Sequence, residues 1–229
     1  MPTAPEEMTL KVIAHIHTAF PTKFGIPRQS GLADVPARIV FEPEYRNADA
    51  LRGIEEYSHL WLIWQFSEAV RESWSPTVRP PKLGGNRRVG VFATRSPFRP
   101  NAIGLSSVRL HRVEYGTHEG AVLHISGADL MDGTPIFDIK PYLAYTDSHP
   151  EASGSFALAG DAVRVECAEG VLDALPQEKR ETLLRVLAQD PRPGYQHEAG
   201  RIYVFPFGGF EVRFTVADGV LTVLSAEKV

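Results

Sequence analysis

The stretch Ser58-His59-Leu60-Trp61-Leu62-Ile63-Trp64-Gln65-Phe66 is apolar almost throughout and contains neither glycine nor proline. A short continuous apolar run of this kind is typical of a strand that is buried on both faces. It is far too short to span a bilayer, which requires about 20 apolar residues in a helix. We therefore expect residues 58–66 to form a central strand of a sheet.

Short strands are predicted on both sides of this run. Asn47 is placed to cap a short helix at 47–57, so little helix is expected within the first two thirds of the chain. Seven or so short strands with so little helix between them favour an antiparallel barrel or sandwich. Besides 58–66, the expected strands are 9–17, 38–41, 89–93, 107–113, 121–126 and 135–142.

The last third of the chain has a different pattern. Residues 151–155 resemble a linker, and 176–189 have the apolar spacing of one helix. Apolar and polar residues then alternate on both sides of Asp218-Gly219, which predicts a hairpin. The fold class is therefore mainly β, with a β-barrel-like domain at 1–152 and a small α+β domain at 153–229.

Composition places the chain among ordinary globular proteins. Hydrophobic residues make up 43% and charged residues 23% of its 229 residues, enough to build a core without disulfides. The single cysteine, Cys167, excludes an intrachain disulfide and fits a reducing compartment. The first ten residues lack the basic and apolar regions of a secretory signal. We expect a cytoplasmic protein with no membrane segment.

Positive charge is concentrated in one segment. Residues 79–112 hold eight of the 24 lysines and arginines and none of the 28 acidic residues. This asymmetry has two interpretations, a polyanion partner or a basic face balanced by acidic neighbours in the fold, and charge alone does not separate them. If the partner is RNA, the expected contacts are Arg87, Arg88 and Arg99.

Several common sites are absent from the sequence. No two of the 19 glycines are two residues apart, so the G-x-G of a Rossmann-type dinucleotide site or methyltransferase does not occur, and G-K-[ST] is also missing. His15 and His17 would share a strand face, but without a third ligand an ordinary strand surface is favoured and no metal is expected. Cys167 has no evident base partner, which favours a spectator role.

Four loops rich in glycine, proline and charged residues remain. Proline fixes φ and glycine permits close approach, so such loops are suited to holding a ligand rigidly. Plain strand turns rarely combine arginines and aspartates with so many rigid residues, and a binding site is therefore favoured. The loops lie at 24–32, 79–86, 92–105 and 129–142.

At these loops the sequence resembles the TrmO (YaeB-like) family of tRNA N6-adenosine methyltransferases, over about residues 9–216. The resemblance implies an S-adenosylmethionine-dependent enzyme with a β-barrel instead of a Rossmann sheet, in agreement with the missing G-x-G. It also implies methyl transfer to N6 of a threonylcarbamoyl-modified adenosine next to a tRNA anticodon, by a homodimer with the cofactor near the subunit interface. The matching segments are 24–32, S-H-L-W at 58–61, 79–104 with A-T-R-S-P-F-R-P-N at 93–101, 129–142 with D-I-K-P-Y at 138–142, and Q-D-P-R-P at 189–193.

Carried over by position, the resemblance assigns cofactor contacts to three runs of consecutive residues and to two single residues. The family often has a His-Gln pair where this chain has Ser67 and Glu68, so side-chain contacts there depart from the pattern. The expected cofactor-binding residues are Pro27, Arg28, Gln29, Ser67, Glu68, Arg95, Leu105, Asp129, Leu130, Met131 and Asp132.

Methyl transfer requires alignment of the reacting groups and a proton acceptor. Asp138 is the candidate acceptor, with a salt bridge to Lys140 or to a neighbouring arginine as the alternative. Tyr142 is a candidate platform for a flipped base, with a core tyrosine as the alternative. A competing interpretation of the whole chain is a non-catalytic RNA-binding or regulatory protein of the same fold, which would not need the cofactor set around Arg28 and Arg95.

Overall fold

The computed structural model describes residues 7–80, 83, 87–154, 162–192, 198 and 200–229. Parts of the predicted loops and linker, namely Pro81, Lys82, residues 84–86, Ser155 and Pro193, lie outside the described residues. The strands and helices are β1 (Ala14–His17), β2 (Pro36–Phe41), β3 (His59–Gln65), β4 (Thr77–Val78), β5 (Val89–Gly90), β6 (Ile103–Thr117), β7 (Gly120–Ser126), β8 (Pro135–Pro141), α1 (Ala144–Asp147), β9 (Arg164–Cys167), α2 (Gln177–Ala188), β10 (Tyr203–Phe207), β11 (Phe210–Ala217) and β12 (Val220–Lys228).

Six antiparallel strands close into a barrel in the order β1-β2-β7-β6-β3-β8. Alternate side chains of each strand fill the interior, as the twofold repeat of a strand requires. In β3 the inward residues Leu60, Leu62 and Trp64 are buried, whereas Trp61 and Ile63 lie half-buried on the outer face. The expectation that this strand is buried on both faces was therefore wrong, because only one face of a barrel strand meets the core.

Three predicted elements are shorter or different in the structure. The strand expected at 9–17 is confined to β1, and the helix expected at 47–57 is two short 3-10 helices, separated by Gly53 at a φ of 86°. The strand expected at 89–93 ends at Gly90, and the next residues form a 3-10 turn. The turn is closed by Val91 O, which accepts hydrogen bonds from the amide and the hydroxyl of Thr94. The 3-10 helices are Pro43–Tyr45, Ala48–Leu51, Ile54–Glu56, Ser67–Ala69 and Val91–Ala93.

The C-terminal part is a second sheet in the order β10-β11-β12-β9, accompanied by α2. Strand β9 pairs in parallel with β12, and the other pairs are antiparallel. The predicted hairpin is confirmed: Asp218 and Gly219 have φ values of 50° and 77°, as the favoured two-residue turn requires. Within the described ranges, no helix combines the length and apolar character needed to cross a membrane.

Each sheet has its own hydrophobic core, but the core of the C-terminal sheet also contains residues from the N-terminal part of the chain. Phe20, Ala33 and Val35, which lie between β1 and β2, are buried in the core of the C-terminal sheet. The connection between β1 and β2 therefore leaves the barrel and packs on the second sheet before it returns. The division at 152/153 stays a prediction, and the described residues 148–154 around it contain no helix or strand.

Candidate cofactor and nucleic-acid site

The first predicted loop is held between the two cores. Pro27 is buried and Arg28 is exposed. The Arg28 guanidinium donates hydrogen bonds to the backbone carbonyls of Asp190 and Arg192 in the C-terminal part. At the far end of the loop, Gly31 N donates to Gly127 O over 2.8 Å. This bond joins the loop to the segment that follows β7, which carries the predicted aspartates.

Asp129 lies at the centre of a hydrogen-bond chain that starts in the barrel. The indole nitrogen of Trp64 donates to Ser106 Oγ over 3.0 Å, and Ser106 Oγ donates to Asp129 Oδ1 over 2.5 Å. Burial raises the pKa of Asp129, and the hydrogen bond from Ser106 and the charge of Arg95 offset this rise only in part. The carboxylate is therefore desolvated and held in one orientation at the open end of β6.

Arg95 links the first loop to this carboxylate. Its guanidinium donates a hydrogen bond to Gln29 Oε1, and its charge acts on Asp129. The structure thus brings together three residues that are far apart in the sequence. Because a guanidinium has donors in a planar fork, Arg95 is suited to a carboxylate or a pair of hydroxyls in the same place.

Arg99 contacts the backbone of its own loop. Its guanidinium donates to Thr94 O over 3.2 Å and to Ser96 O over 3.4 Å, so it clasps the backbone on both sides of Arg95. The side chain is half-buried. A contact between Arg99 and RNA stays a prediction, and the structure adds a role for Arg99 in holding the loop that carries Arg95.

The residues after Asp129 serve mainly to attach their loop to β1. Leu130 is buried in the barrel core, and its carbonyl accepts a hydrogen bond from the Thr18 hydroxyl over 3.2 Å. Met131 O accepts from the Thr134 hydroxyl, and Asp132 Oδ1 accepts from Thr18 N over 3.0 Å. The side chain of Asp132 therefore ties its loop to Thr18, just after β1, and its expected contact with the cofactor stays a prediction.

Ser67 and Glu68 lie in the 3-10 helix that follows β3, and both are exposed. Glu68 forms a salt bridge of 3.3 Å with Lys23, whose ammonium also donates to the Glu68 carbonyl over 3.1 Å. Lys23 directly precedes the first loop. These two positions are therefore tied to the edge of the same site, although their side chains differ from the family pattern.

Leu105 and Asp138 lie on the outer face of the barrel, on either side of Ile63. The register pairs Ile63 with Leu105 on β6 and with Asp138 on β8. Leu105 is 58% exposed, which is unusual for leucine, and Asp138 forms a salt bridge of 2.8 Å with Lys140. The salt-bridge alternative for Asp138 is thus present, and its part in proton transfer stays a prediction.

Tyr142 lies just beyond β8 among other aromatic rings. Its ring centroid is 5.3 Å from that of Trp61 and 6.2 Å from that of His59. The side chain is half-buried. Half-burial against other rings fits either alternative, a structural tyrosine or a platform with one face open.

The basic segment is largely free of carboxylate partners in the described structure. Arg112 pairs with Glu114, but the salt bridges found among the described residues include none to the other six arginines of 79–112. Arg87 and Arg88 are exposed, and Arg88 donates to the Thr77 hydroxyl. The balanced-face interpretation of the charge pattern therefore loses support. The six arginines are Arg79, Arg87, Arg88, Arg95, Arg99 and Arg109.

The histidines have ordinary partners. His15 Nδ1 lies 2.7 Å from Glu42 Oε1, and His17 Nδ1 lies 3.5 Å from Asp132 Oδ1. Among the residues that the structure describes, no group of three or more histidine, cysteine or acidic side chains is arranged to hold a metal ion. Cys167 is exposed and unpaired.

Replacing Asp129 by Asn should raise the melting temperature at neutral and alkaline pH. Because folding raises the pKa of Asp129, the native state binds its proton more tightly than the unfolded chain does, so wild-type stability falls as pH rises through the native pKa. Asparagine has no carboxyl group to titrate, so the stability of the variant does not fall in this way. The gain in melting temperature over wild type should vanish when the pH falls below the ordinary aspartate pKa of about 3.9.

Thermal unfolding followed across this pH range tests the prediction. Asp138→Asn is the matched control, because that carboxylate is paired at the surface and should give no comparable gain. A difference between wild type and Asp129→Asn that does not change with pH would contradict the desolvation of Asp129.

Family models match both parts of the chain. The tRNA-methyltransferase O N-terminal domain matches residues 15–148, and the TrmO C-terminal domain matches residues 161–229. The chain belongs to the tRNA-methyltransferase O family. The resemblance first seen in the loops is thereby confirmed over both the barrel and the second sheet of this family member.

Individual relatives agree with the family assignment. The tRNA (adenine(37)-N6)-methyltransferase of Escherichia coli K12 is 42% identical over 226 residues, which cover 94% of this chain and 96% of the relative. A putative S-adenosylmethionine-dependent methyltransferase, RcsF, of Pseudomonas aeruginosa PAO1 is 44% identical over 202 residues, covering 83% and 85% of the two chains. A crystal structure of TrmO from P. aeruginosa has a TM-score of 0.80 at 33% identity and covers 99% of both chains. The predicted fold class is confirmed.

Sequence reasoning missed two residues of the site in this tRNA-methyltransferase O family member, Trp64 and Ser106. A signal for them exists in β6, where the inward positions Gly104 and Ser106 are small while the next inward positions are Val108 and Leu110. Small inward residues at one end of a strand, where the other inward residues are large, indicate that a large side chain from a neighbouring strand occupies the space beside them. In the structure that neighbour is the Trp64 indole.

Proposed function

We propose that this protein transfers a methyl group from S-adenosylmethionine to N6 of an adenine in tRNA. The observation that carries the proposal is the convergence of Arg95, Gln29 and Asp129 at one end of the barrel, in a chain of this family. The E. coli relative, which matches over nearly the whole chain, is named for this reaction at adenine 37.

The residues at this end of the barrel fit the cofactor. Asp129 is a desolvated carboxylate, and a cation beside it would stabilise its charged form. Arg95 provides a fork of donors for a carboxylate or for ribose hydroxyls, and the exposed Leu105 provides an apolar contact for a ring. We assign the remaining contacts to the first loop, the 129–132 loop and the backbone of Ser67 and Glu68.

The chemistry requires positioning more than it requires reactive side chains. S-adenosylmethionine, when bound, supplies an electrophilic methyl group on a positively charged sulfur. The protein holds the acceptor nitrogen in line and close by, which accounts for much of the rate enhancement in such displacements. The hydrogen-bond chain from Trp64 through Ser106 fixes the carboxylate of Asp129, so that its charge is oriented before the substrate arrives.

The proton of the acceptor nitrogen must leave, and Asp138 is the candidate acceptor on the outer barrel face. Its carboxylate lies 2.8 Å from the Lys140 ammonium, and this ion pair holds it in place on that face. Tyr142, two residues beyond Lys140, is placed to stack on a base that leaves the anticodon loop. Both roles rest on the positions of these residues beside Leu105 and Trp61.

The tRNA is the expected polyanion partner. Arg87, Arg88 and Arg99 would neutralise phosphates, and affinity for tRNA should therefore fall as the salt concentration rises. We further propose that the acceptor adenosine carries a threonylcarbamoyl group, since the carboxylate of that group suits a guanidinium-rich site. A tRNA substrate also supports the proposal that the protein works in the cytoplasm.

A homodimer is proposed as the working form. Large apolar side chains are exposed at two positions of the third predicted loop, Phe92 at 73% and Leu105 at 58%, and Trp74, whose ring lies 6.1 Å from that of Phe92, is 52% exposed. Exposed apolar groups beside a binding site are typical of surfaces that a second subunit covers. Sedimentation of the purified chain separates a dimer from a monomer.

The function is tested by incubating purified protein with S-adenosylmethionine and tRNA from a strain that lacks it, followed by mass spectrometry of the nucleosides. We expect one added methyl group on the threonylcarbamoyl-modified adenosine, and none on a matching unmodified transcript. Cofactor and tRNA binding without methyl transfer would instead support the alternative, a non-catalytic RNA-binding protein of the same fold. Methyl transfer to the unmodified transcript would overturn only the proposal that the acceptor adenosine carries a threonylcarbamoyl group.

A further inference from the structure

The first predicted loop is built on the C-terminal sheet. The ring of Phe24 lies 6.5 Å from Tyr203, 5.8 Å from Phe205 and 6.5 Å from Phe214, measured between centroids. Gly25 follows at a φ of 93°, and a Cβ there would lie 2.5 Å from the Phe205 ring. The loop therefore enters the site in a direction that the C-terminal part of the chain determines.

A second anchor lies three residues further along. The Arg28 guanidinium donates to Asp190 O and to Arg192 O, each over 3.0 Å. These carbonyls belong to the turn at 190–192, which follows α2. The guanidinium that was expected to contact the cofactor is thus engaged with the C-terminal part of the chain.

The 190–192 turn is itself fixed by an ion pair between its own ends. The Arg192 guanidinium donates to both carboxylate oxygens of Asp190, each over 2.8 Å. Burial alone would raise the pKa of Asp190, but the hydrogen bonds and charge of Arg192 lower it overall, and hydrogen bonding to Asp190 raises the pKa of Arg192. The pair is largely withdrawn from solvent, with side-chain exposures of 12% for Arg192 and 25% for Asp190.

We propose that Asp190 and Arg192 are positioning residues for the proposed cofactor site, acting through Arg28. The pair shapes the 190–192 turn, the turn presents two carbonyls to Arg28, and Arg28 sets the place of the adjoining Gln29, which binds Arg95. The C-terminal sheet thus helps to assemble a site whose other residues lie on the barrel. This inference rests on the proposed function, which names the ligand of that site.

The test uses Arg192→Ala, Arg192→Lys and Asp190→Asn in the full chain. Asparagine tolerates the left-handed conformation that Asp190 adopts at a φ of 48°, so Asp190→Asn removes the charge while keeping the backbone. Arg213→Ala is the matched control, because Arg213 also pairs with an acidic residue two positions away, donating two hydrogen bonds to Oε1 of Glu211 on the exposed face of β11. Lysine keeps the charge at 192 but cannot make both bonds.

Two readouts are needed. Amide hydrogen exchange of residues 24–31 without ligand should become faster in Arg192→Ala and Asp190→Asn, and stay at the wild-type rate in Arg213→Ala. Affinity for S-adenosylmethionine, measured by calorimetry, should fall roughly threefold to tenfold in Arg192→Ala, the loss expected for one or two hydrogen bonds, and less in Arg192→Lys. The KM for S-adenosylmethionine should rise while kcat stays near wild type.

Wild-type exchange rates and affinity in both Arg192→Ala and Asp190→Asn would overturn the inference. An equal response of Arg213→Ala would also overturn it, because the effect would then be general loosening of the C-terminal sheet. If wild type itself fails to bind S-adenosylmethionine, the proposed function fails, and the exchange experiment still decides whether the pair positions the loop. If Arg192→Ala does not fold, Asp190→Asn and Arg192→Lys give the same comparison.

Discussion

Arg95→Ala should weaken S-adenosylmethionine binding by about 1.5–3 kcal/mol, the cost of losing hydrogen bonds to a charged group. The guanidinium binds Gln29 on one side and acts on the desolvated carboxylate of Asp129 on the other. Removing it leaves the Gln29 side chain without its partner on the barrel side. Arg95→Lys should recover only part of the loss, since an ammonium cannot bridge both groups.

Calorimetric titration with the cofactor measures this effect. Arg109→Ala is the matched control, because it removes an exposed arginine of the same acid-free segment on β6 and should leave cofactor affinity unchanged. Arg99→Ala should also weaken cofactor binding, because Arg99 clasps the carbonyls on both sides of Arg95. Equal loss in Arg95→Ala and Arg109→Ala would mean that net charge, and not this contact, governs binding.

Gly104→Ala should destabilise the barrel by about 1–3 kcal/mol, as overpacking of a filled interior does. A Cβ at position 104 would lie 2.2 Å from the Trp64 indole, so the ring must move. The indole can then no longer reach Ser106, and the hydrogen-bond chain to Asp129 is broken at its start. We therefore expect weaker cofactor binding together with the lower stability.

Denaturant unfolding measures the stability change, and tryptophan fluorescence of the folded protein reports the displaced ring. Gly90→Ala is the control, because a Cβ at that exposed strand position would meet nothing within 4 Å. Equal stability of the two variants would indicate that Trp64 moves without cost and that the packing around it is loose.

The fold was predictable where the pattern of side chains is local. Alternating apolar residues located most strands, and Asp218-Gly219 predicted a turn whose φ values the structure confirms. The turn after Gly90 was not predictable in the same way, because Val89 and Val91 favour a strand by composition and the bonds that end it involve Thr94. Local propensity cannot anticipate a side-chain hydroxyl that competes for a backbone carbonyl.

The site was predictable only through the family resemblance. Four rigid loops indicated a ligand, but nothing in their spacing brings Gln29 to Arg95 or Ser106 to Asp129. Those pairs meet because of strand order in the barrel, which depends on contacts between distant segments. Trp64 and Ser106 were missed for a related reason, since an apolar strand residue and a small polar one look like ordinary core until the register is known.

The packing of Phe20 and Phe24 on the C-terminal sheet has a consequence for synthesis on the ribosome. Their partners Phe205, Phe207 and Phe214 are made about 180 to 190 residues later in the chain. At translation rates of about 5–20 residues per second, these early aromatic side chains wait roughly ten to forty seconds for their partners. The barrel strands can pair during this interval, but the first loop cannot take its final place, so the binding site of the nascent chain is complete only after the C-terminal sheet has been made.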